Sequence, residues 1–227
     1  MTSMKPKELF DQLRAPRANK PELSKQVLMQ PDLIESLLQG LDQPEARVRF
    51  GSARLLEFVA AQNAGLLSPH FDRFARLFDQ EESPVLRWEA IRILACLSTV
   101  DCADHFEKMF RRFFAPIKGP VMITAANLIA TVPTIASAHP EWADRLARQI
   151  LHVETGQYQT PECRNVAIGH ALKSLKSMFP LLRKPAPVWA FIHRQRQNSR
   201  AATRRKAEAL LARPPRNNHC LSEPTRA

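Results

Sequence analysis

The chain reads as an all-α protein, a solenoid of about five helical hairpins, and three observations lead there. A segment of about 40 residues recurs, its core running ARVRFGSARLLEFV the first time and PVLRWEAIRILACL the second. A period of this size marks units that bury their apolar faces only against their neighbours. Only six glycines and one tyrosine, against abundant Leu, Ala and Arg, favour helices over sandwiches or barrels. Finally, 44% of the 227 residues are apolar, enough for a substantial core and too many for a chain disordered throughout.

Residues 1–30, with Pro6, Pro16 and Pro21, are expected to form one or two short capping helices over the first repeat. Repeats follow over 31–213, each pairing a first helix with a second. The first helices are PDLIESLLQGL, SPHFDRFARLFD, ADHFEKMFRRFF, PEWADRLARQIL and PVWAFIHRQRQ. Their starts at Pro31 and Asp32, Ser68 and Pro69, and Pro140 supply first-turn proline and capping side chains for otherwise unbonded N–H groups. Connections such as DQPEA, DQEESP and PIKGP are short enough for antiparallel pairs.

The second helices carry the repeat. Val48 aligns on Leu86, Arg49 on Arg87, Ser52 on Ala90, Leu55 on Ile93, Leu56 on Leu94 and Val59 on Leu97, an offset of 38 residues. Apolar or small residues at i, i+4, i+7, i+8 and i+11 share one helical face. The third copy, PVMITAANLIATV, predicts a stripe through Met122, Ala126, Ile129 and Ala130, with Ile123 in place of arginine. The fourth, PECRNVAIGHALKSL, permits two registers, through Ala167 and Ala171 or through Ile168, Leu172 and Leu175. The fifth, ATRRKAEALLARP, uses Thr203, Arg204, Ala207, Leu210 and Leu211 before Pro214 and Pro215 stop it. Residues 214–227, rich in Pro, Asn and charge, are expected to be disordered.

A helix pair per repeat, a short acidic turn, and a valine or leucine followed by arginine in the second helix resemble the HEAT-repeat (armadillo-like) family. That resemblance implies a right-handed α-solenoid in which acid–arginine pairs ladder adjacent repeats. The matching residues are Asp42 with Arg49, and Glu81 or Glu82 with Arg87; copies three to five lack a matching acid. Such solenoids mostly serve as scaffolds, adaptors and transport factors, and one bacterial branch excises alkylated DNA bases with a Trp, an Asp and an Arg. The nearest match to that trio is Trp142, Asp144 and Arg148, but side chains at i and i+2 of a helix point apart, so the match fails.

Charge is distributed unevenly. Residues 1–160 hold 19 basic and 19 acidic residues; residues 161–227 hold 14 basic against Glu162, Glu208 and Glu223, so the whole net charge of +11 lies at one end. That asymmetry suits nucleic acid, an anionic membrane or an acidic protein, or is a solvated basic face. Arg54 and Arg92 align on second helices and offer planar forks to carboxylates or phosphates, unless Glu57 and Glu89 pair with them. Lys173, Lys176, Arg194 and Arg196, followed by Arg200, Arg205 and Lys206, make a second candidate contact set. Trp189 and Phe191 interleave with it, as stacking rings or as an ordinary apolar stripe.

No catalytic, cofactor or metal motif is present. The histidines show no HExxH or i, i+4 pair, and Cys96, Cys102, Cys163 and Cys220 have no ligand spacing. Cys102 beside His105 is explained by the Asp-rich helix start, since nearby acids raise a thiol pKa. With no apolar run of signal-peptide or membrane-spanning length, the expectation is a cytoplasmic, monomeric, non-catalytic scaffold that binds a protein partner along a concave face. The alternatives are sequence-nonspecific nucleic-acid binding through the basic C-terminal repeats and, last, a divergent repair glycosylase.

Overall fold

The computed structural model describes residues 4–80, 82–101 and 104–216; Glu81, Cys102 and the tail beyond Arg216, which carries Cys220, lie outside them. Among the described residues there are twelve α-helices and no strand. Helices α1 (Pro6–Arg14) and α2 (Lys20–Met29) come first, followed by five hairpins. These are α3 (Leu33–Gly40) with α4 (Ala46–Gln62), α5 (Phe71–Asp79) with α6 (Pro84–Leu97), and α7 (His105–Phe114) with α8 (Met122–Ala138). Then come α9 (Ala143–Leu151) with α10 (Pro161–Met178), and α11 (Ala186–Gln195) with α12 (Ala201–Ala212).

Local chemistry sets the helix starts. Proline occupies the first turn of α1, α2, α6 and α10, where its missing N–H costs nothing. Asn19 accepts from the Glu22 amide at 3.3 Å, Thr160 from that of Cys163 at 3.1 Å, and Asp101 from that of Phe106 at 2.6 Å. Two first helices start later than their sequence suggests. Ser68–His70 and Pro140–Trp142 form 3-10 turns ahead of α5 and α9, the tighter winding often found at helix ends.

The chain divides into two compact units, one through Glu107 and one from Lys108. In the first, α1, α2 and α3 lie against α4, α6 lies beside α4, and α5 packs on α6. Leu9, Leu13, Leu23 and Val27 of the first two helices are buried. Gly40 lets α3 approach this closely: a Cβ there would stand 2.2 Å from the Ser52 hydroxyl. In the second unit α10 lies between α8 and α12, with α9 against α8 and α10, and α11 against α12. Second helices of successive hairpins are therefore neighbours within each unit.

Burial follows the predicted stripe in the first two copies: Val48, Leu55, Leu56 and Val59 are buried in α4, and Leu86, Ile93, Leu94 and Leu97 in α6. The third copy is corrected. Ala130 is exposed and Met122 and Ala126 are half-buried, while the buried face runs through Ala125, Leu128, Ile129, Val132 and Ile135. Helix α8 is apolar nearly all round, so no polar positions mark its inner face, and α10 decides the matter by packing on it. Both registers left open for the fourth copy are buried, because α10 is covered by α8 on one side and α12 on another.

Links between neighbouring hairpins recur at about one period. Tyr158 donates its hydroxyl to the Ile117 carbonyl, and burial pushes its pKa up to about 12. The Gln157 amide donates to the Lys118 carbonyl at 2.7 Å. Beside them Gly119 has φ of 98°, and a Cβ there would meet the Gln157 carbonyl oxygen at 2.1 Å, so this crossing demands glycine twice over. Ser174 donates to the Ile129 carbonyl at 2.8 Å across α8 and α10.

Candidate functional site

In the first unit, the adjacency of α4 and α6 brings four charged side chains together. Arg54 lies 3.0 Å from Glu57 and 3.7 Å from Glu89; Arg92 lies 2.6 Å from Glu89 and 3.8 Å from Glu57. The carboxylates are the inner members, with side chains 16% and 10% exposed against 39% for Arg54 and 29% for Arg92. Burial raises the Glu57 pKa and Glu89 adds to that, against the opposing pull of Arg54 and Arg92. Cys96 is raised as well, by burial and then by Glu57, which makes it an inert thiol. The two arginines picked out by repeat alignment thus carry their counter-charges with them, and the cluster is neutral.

The expected ladder residues sit nearby. Asp42 accepts from Arg73 of α5, a link between adjacent hairpins, while Arg49 donates to the Gln43 carbonyl at 3.3 Å and lies over the Phe50 ring at 4.9 Å. Arg87 lies over the Phe78 ring at 5.2 Å; Glu82 is exposed and Glu81 lies outside the described residues.

The second unit uses its acids differently. Glu154, just past α9, accepts from Arg194 Nε at 2.9 Å and Nη2 at 2.7 Å and from the Gln195 side-chain amide at 2.7 Å. This bidentate pair raises the Arg194 pKa. Glu162 at the start of α10 accepts from Arg200. Two of the proposed phosphate contacts, Arg194 and Arg200, are thereby joined to the preceding hairpin. Lys206 donates to the Gly169 carbonyl at 3.0 Å and Thr203 to that of Asn165 at 2.8 Å, tying α12 to α10.

The cations that remain are Lys173 and Lys176, one turn apart on α10, with Arg205 on α12 and Arg196 just after α11. All four are exposed, and none has an ion-pair partner among the described residues. The His170 pKa is lowered by partial burial and then by Lys206 and Lys173, so α10 and α12 contribute charge to one basic neighbourhood. The rings do not line a stacking surface: Phe191 is buried, and half-buried Trp189 sets its edge on Phe179 at 4.9 Å.

The Trp142, Asp144 and Arg148 set is separated too. Asp144 accepts the Lys184 amide at 3.0 Å, Trp142 stacks on His139 at 4.1 Å, and Arg148 is exposed. His105 stacks on Phe71 at 5.2 Å and lies 3.0 Å from Asp101. Among the described residues no group of His, Cys, Asp and Glu is arranged to hold a metal, and no helix is long and apolar enough to cross a membrane.

Sequence reasoning missed Glu154 as an anchor. Its signal was present: Glu154 and Arg194 are 40 residues apart, and Glu162 and Arg200 are 38 apart, each about one repeat. Compared with known proteins, the sequence matches no family model and no curated protein.

Proposed function

We propose that this chain is a non-catalytic interaction scaffold, a right-handed HEAT-like solenoid of five hairpins that holds an acidic protein partner. The observation that supports this most is the uneven use of charge. Glu154 and Glu162 are engaged by Arg194 and Arg200, leaving Lys173, Lys176, Arg196 and Arg205 exposed with no ion-pair partner among the described residues; Glu208, which shares a concavity with Arg196, is the acid of the last hairpin itself. Unpaired cations on a folded surface raise local anion concentration and speed encounter with an acidic patch. The scaffold acts as a monomer in the cytoplasm, where thiols such as Cys96 and Cys163 stay reduced. Quantitative affinity capture with wild-type and Lys173→Glu/Lys176→Glu baits tests the reading. Proteins retained by the first and lost from the second support it; an identical set from both overturns it.

The same available cations favour a second reading, sequence-nonspecific nucleic-acid binding, in which Lys173, Lys176, Arg196 and Arg205 contact phosphates. Fluorescence anisotropy with labelled duplex and single-stranded DNA and RNA at about 50 and 200 mM salt separates the two. Micromolar binding that collapses with salt favours nucleic acid; no binding at low salt favours the protein partner. A glycosylase reading has less behind it, since Asp144 is engaged by the Lys184 amide.

A further inference from the structure

The first unit holds a concavity of about 380 Å³ between the α1–α2 turn, α4 and the start of α6. Leu13, Phe50, Gly51 and Val85 line its apolar part; Phe50 is half-buried and Val85 is 38% exposed. Around them stand Arg17, Lys20, Arg47 and Arg54. The one carboxylate in the lining, Glu89, is taken up by Arg92 and Arg54 at 2.6 and 3.7 Å. Arg54 is already neutralised in the cluster with Glu57, Glu89 and Arg92, so the charge of the rim comes from Arg17, Lys20 and Arg47, a cationic patch within residues 1–160, whose 19 basic and 19 acidic residues cancel overall.

Two of the cations are fixed in place. Arg47 donates to the Arg14 carbonyl at 2.9 Å, and Arg54 is held by Glu57 at 3.0 Å. The other two, Arg17 and Lys20, have no ion-pair partner among the described residues.

We propose that this concavity binds a short acidic peptide segment of a partner protein, its carboxylates on the cationic rim and an apolar side chain between them on Phe50 and Val85. The proposal rests on the scaffold reading for the partner being a protein, and adds a surface separate from the α10 and α12 cations. Arginine forks suit carboxylates, and about 380 Å³ is within the range of sites that enclose small ligands. Nucleic acid fits poorly. Stacking successive bases needs a series of open rings, whereas Phe50 is the one aromatic in the lining and Arg49 lies 4.9 Å from its centroid. The mixture of apolar floor and cationic rim selects peptides that mix acidic and apolar residues over purely acidic ones.

The test selects a random-peptide phage library on the full chain and titrates the recovered peptides by fluorescence anisotropy. Proteins compared are wild type, Arg17→Glu/Lys20→Glu, Val85→Ser and Lys173→Glu/Lys176→Glu, each first checked for wild-type helicity. Recovered peptides are expected to place Asp or Glu beside Leu, Ile, Val or Phe. Arg17→Glu/Lys20→Glu should weaken them about tenfold or more, and Val85→Ser about threefold, with Lys173→Glu/Lys176→Glu, in the other unit, changing little. A selection without that pattern, or peptides that bind the Arg17→Glu/Lys20→Glu protein as tightly as wild type, overturns the proposal. Failure here with capture still dependent on Lys173 and Lys176 leaves the scaffold reading intact; peptide binding here with capture indifferent to those lysines sinks the reading's C-terminal surface instead.

Discussion

The two units share a plan and differ in how they spend charge. In the first, α4 and α6 meet with Arg54, Glu57, Glu89 and Arg92 in one neutral cluster, so basic residues on the second helices serve the fold. In the second, α10 and α12 meet through Lys206 and Thr203 bonding to backbone carbonyls, α8 and α10 through Ser174, and acid–arginine pairs reach the preceding hairpin, while Lys173, Lys176 and Arg205 stay outside every ion pair among the described residues. A basic residue in a repeat therefore says little until its counter-charge is found. Raw charge placed the whole +11 at one end; geometry divides those cations into structural and available ones.

Helices α4 and α10 hold equivalent central places in their units, α4 against α1, α2, α3 and α6 and α10 against α8, α9 and α12, so truncating either core gives the largest expected effect. Leu56→Ala and Leu172→Ala, both at fully buried positions, should each cost about 3 kcal/mol in chemical denaturation. A loss below about 1 kcal/mol at either site would show that its helix is not central to its unit.

Next in size is the structural half of the C-terminal charge. Glu154→Ala removes the acceptor of Arg194 and Gln195, an exposed pair, and should cost about 1 kcal/mol, whereas Lys173→Ala should stay within about 0.5 kcal/mol of wild type. Equal costs would erase the distinction between paired and available cations.

The smallest effect concerns pH. The folded state lowers the His170 pKa below its ordinary value of 6.5, so on acidification the unfolded chain takes up that proton first. Stability should fall as pH drops through about 6.5, and His170→Gln should fall less over the same interval. Parallel curves for the two proteins would mean that neither burial nor the neighbouring Lys206 and Lys173 lowers the imidazole's proton affinity.

Much of the fold was legible because it rests on local pattern. The stripes of α4 and α6 show in the spacing of Val48, Leu55, Leu56 and Val59 and of their counterparts 38 residues on, and proline in first turns marks several starts. The pattern failed in α8, where apolar residues on every side erase the contrast that defines a face, and it stayed ambiguous in α10, which buries two sides. The candidate site was harder to read for a different reason. Whether Arg194 or Lys176 is available depends on a carboxylate brought from the hairpin before, at a distance in sequence where spacing rules for single helices say nothing. Reading the chain one period back from each arginine would have found Glu154 and Glu162.

The most direct measurement is a fluorescence-anisotropy titration of labelled polyglutamate with wild-type protein and with Lys173→Glu/Lys176→Glu, at about 50 and 200 mM salt. Salt-sensitive binding by the wild type that weakens about tenfold in the double reversal, with unchanged helicity and melting temperature, is the expected result. No binding at low salt, or equal affinity of both proteins, would contradict the assignment of the free C-terminal cations to an acidic partner.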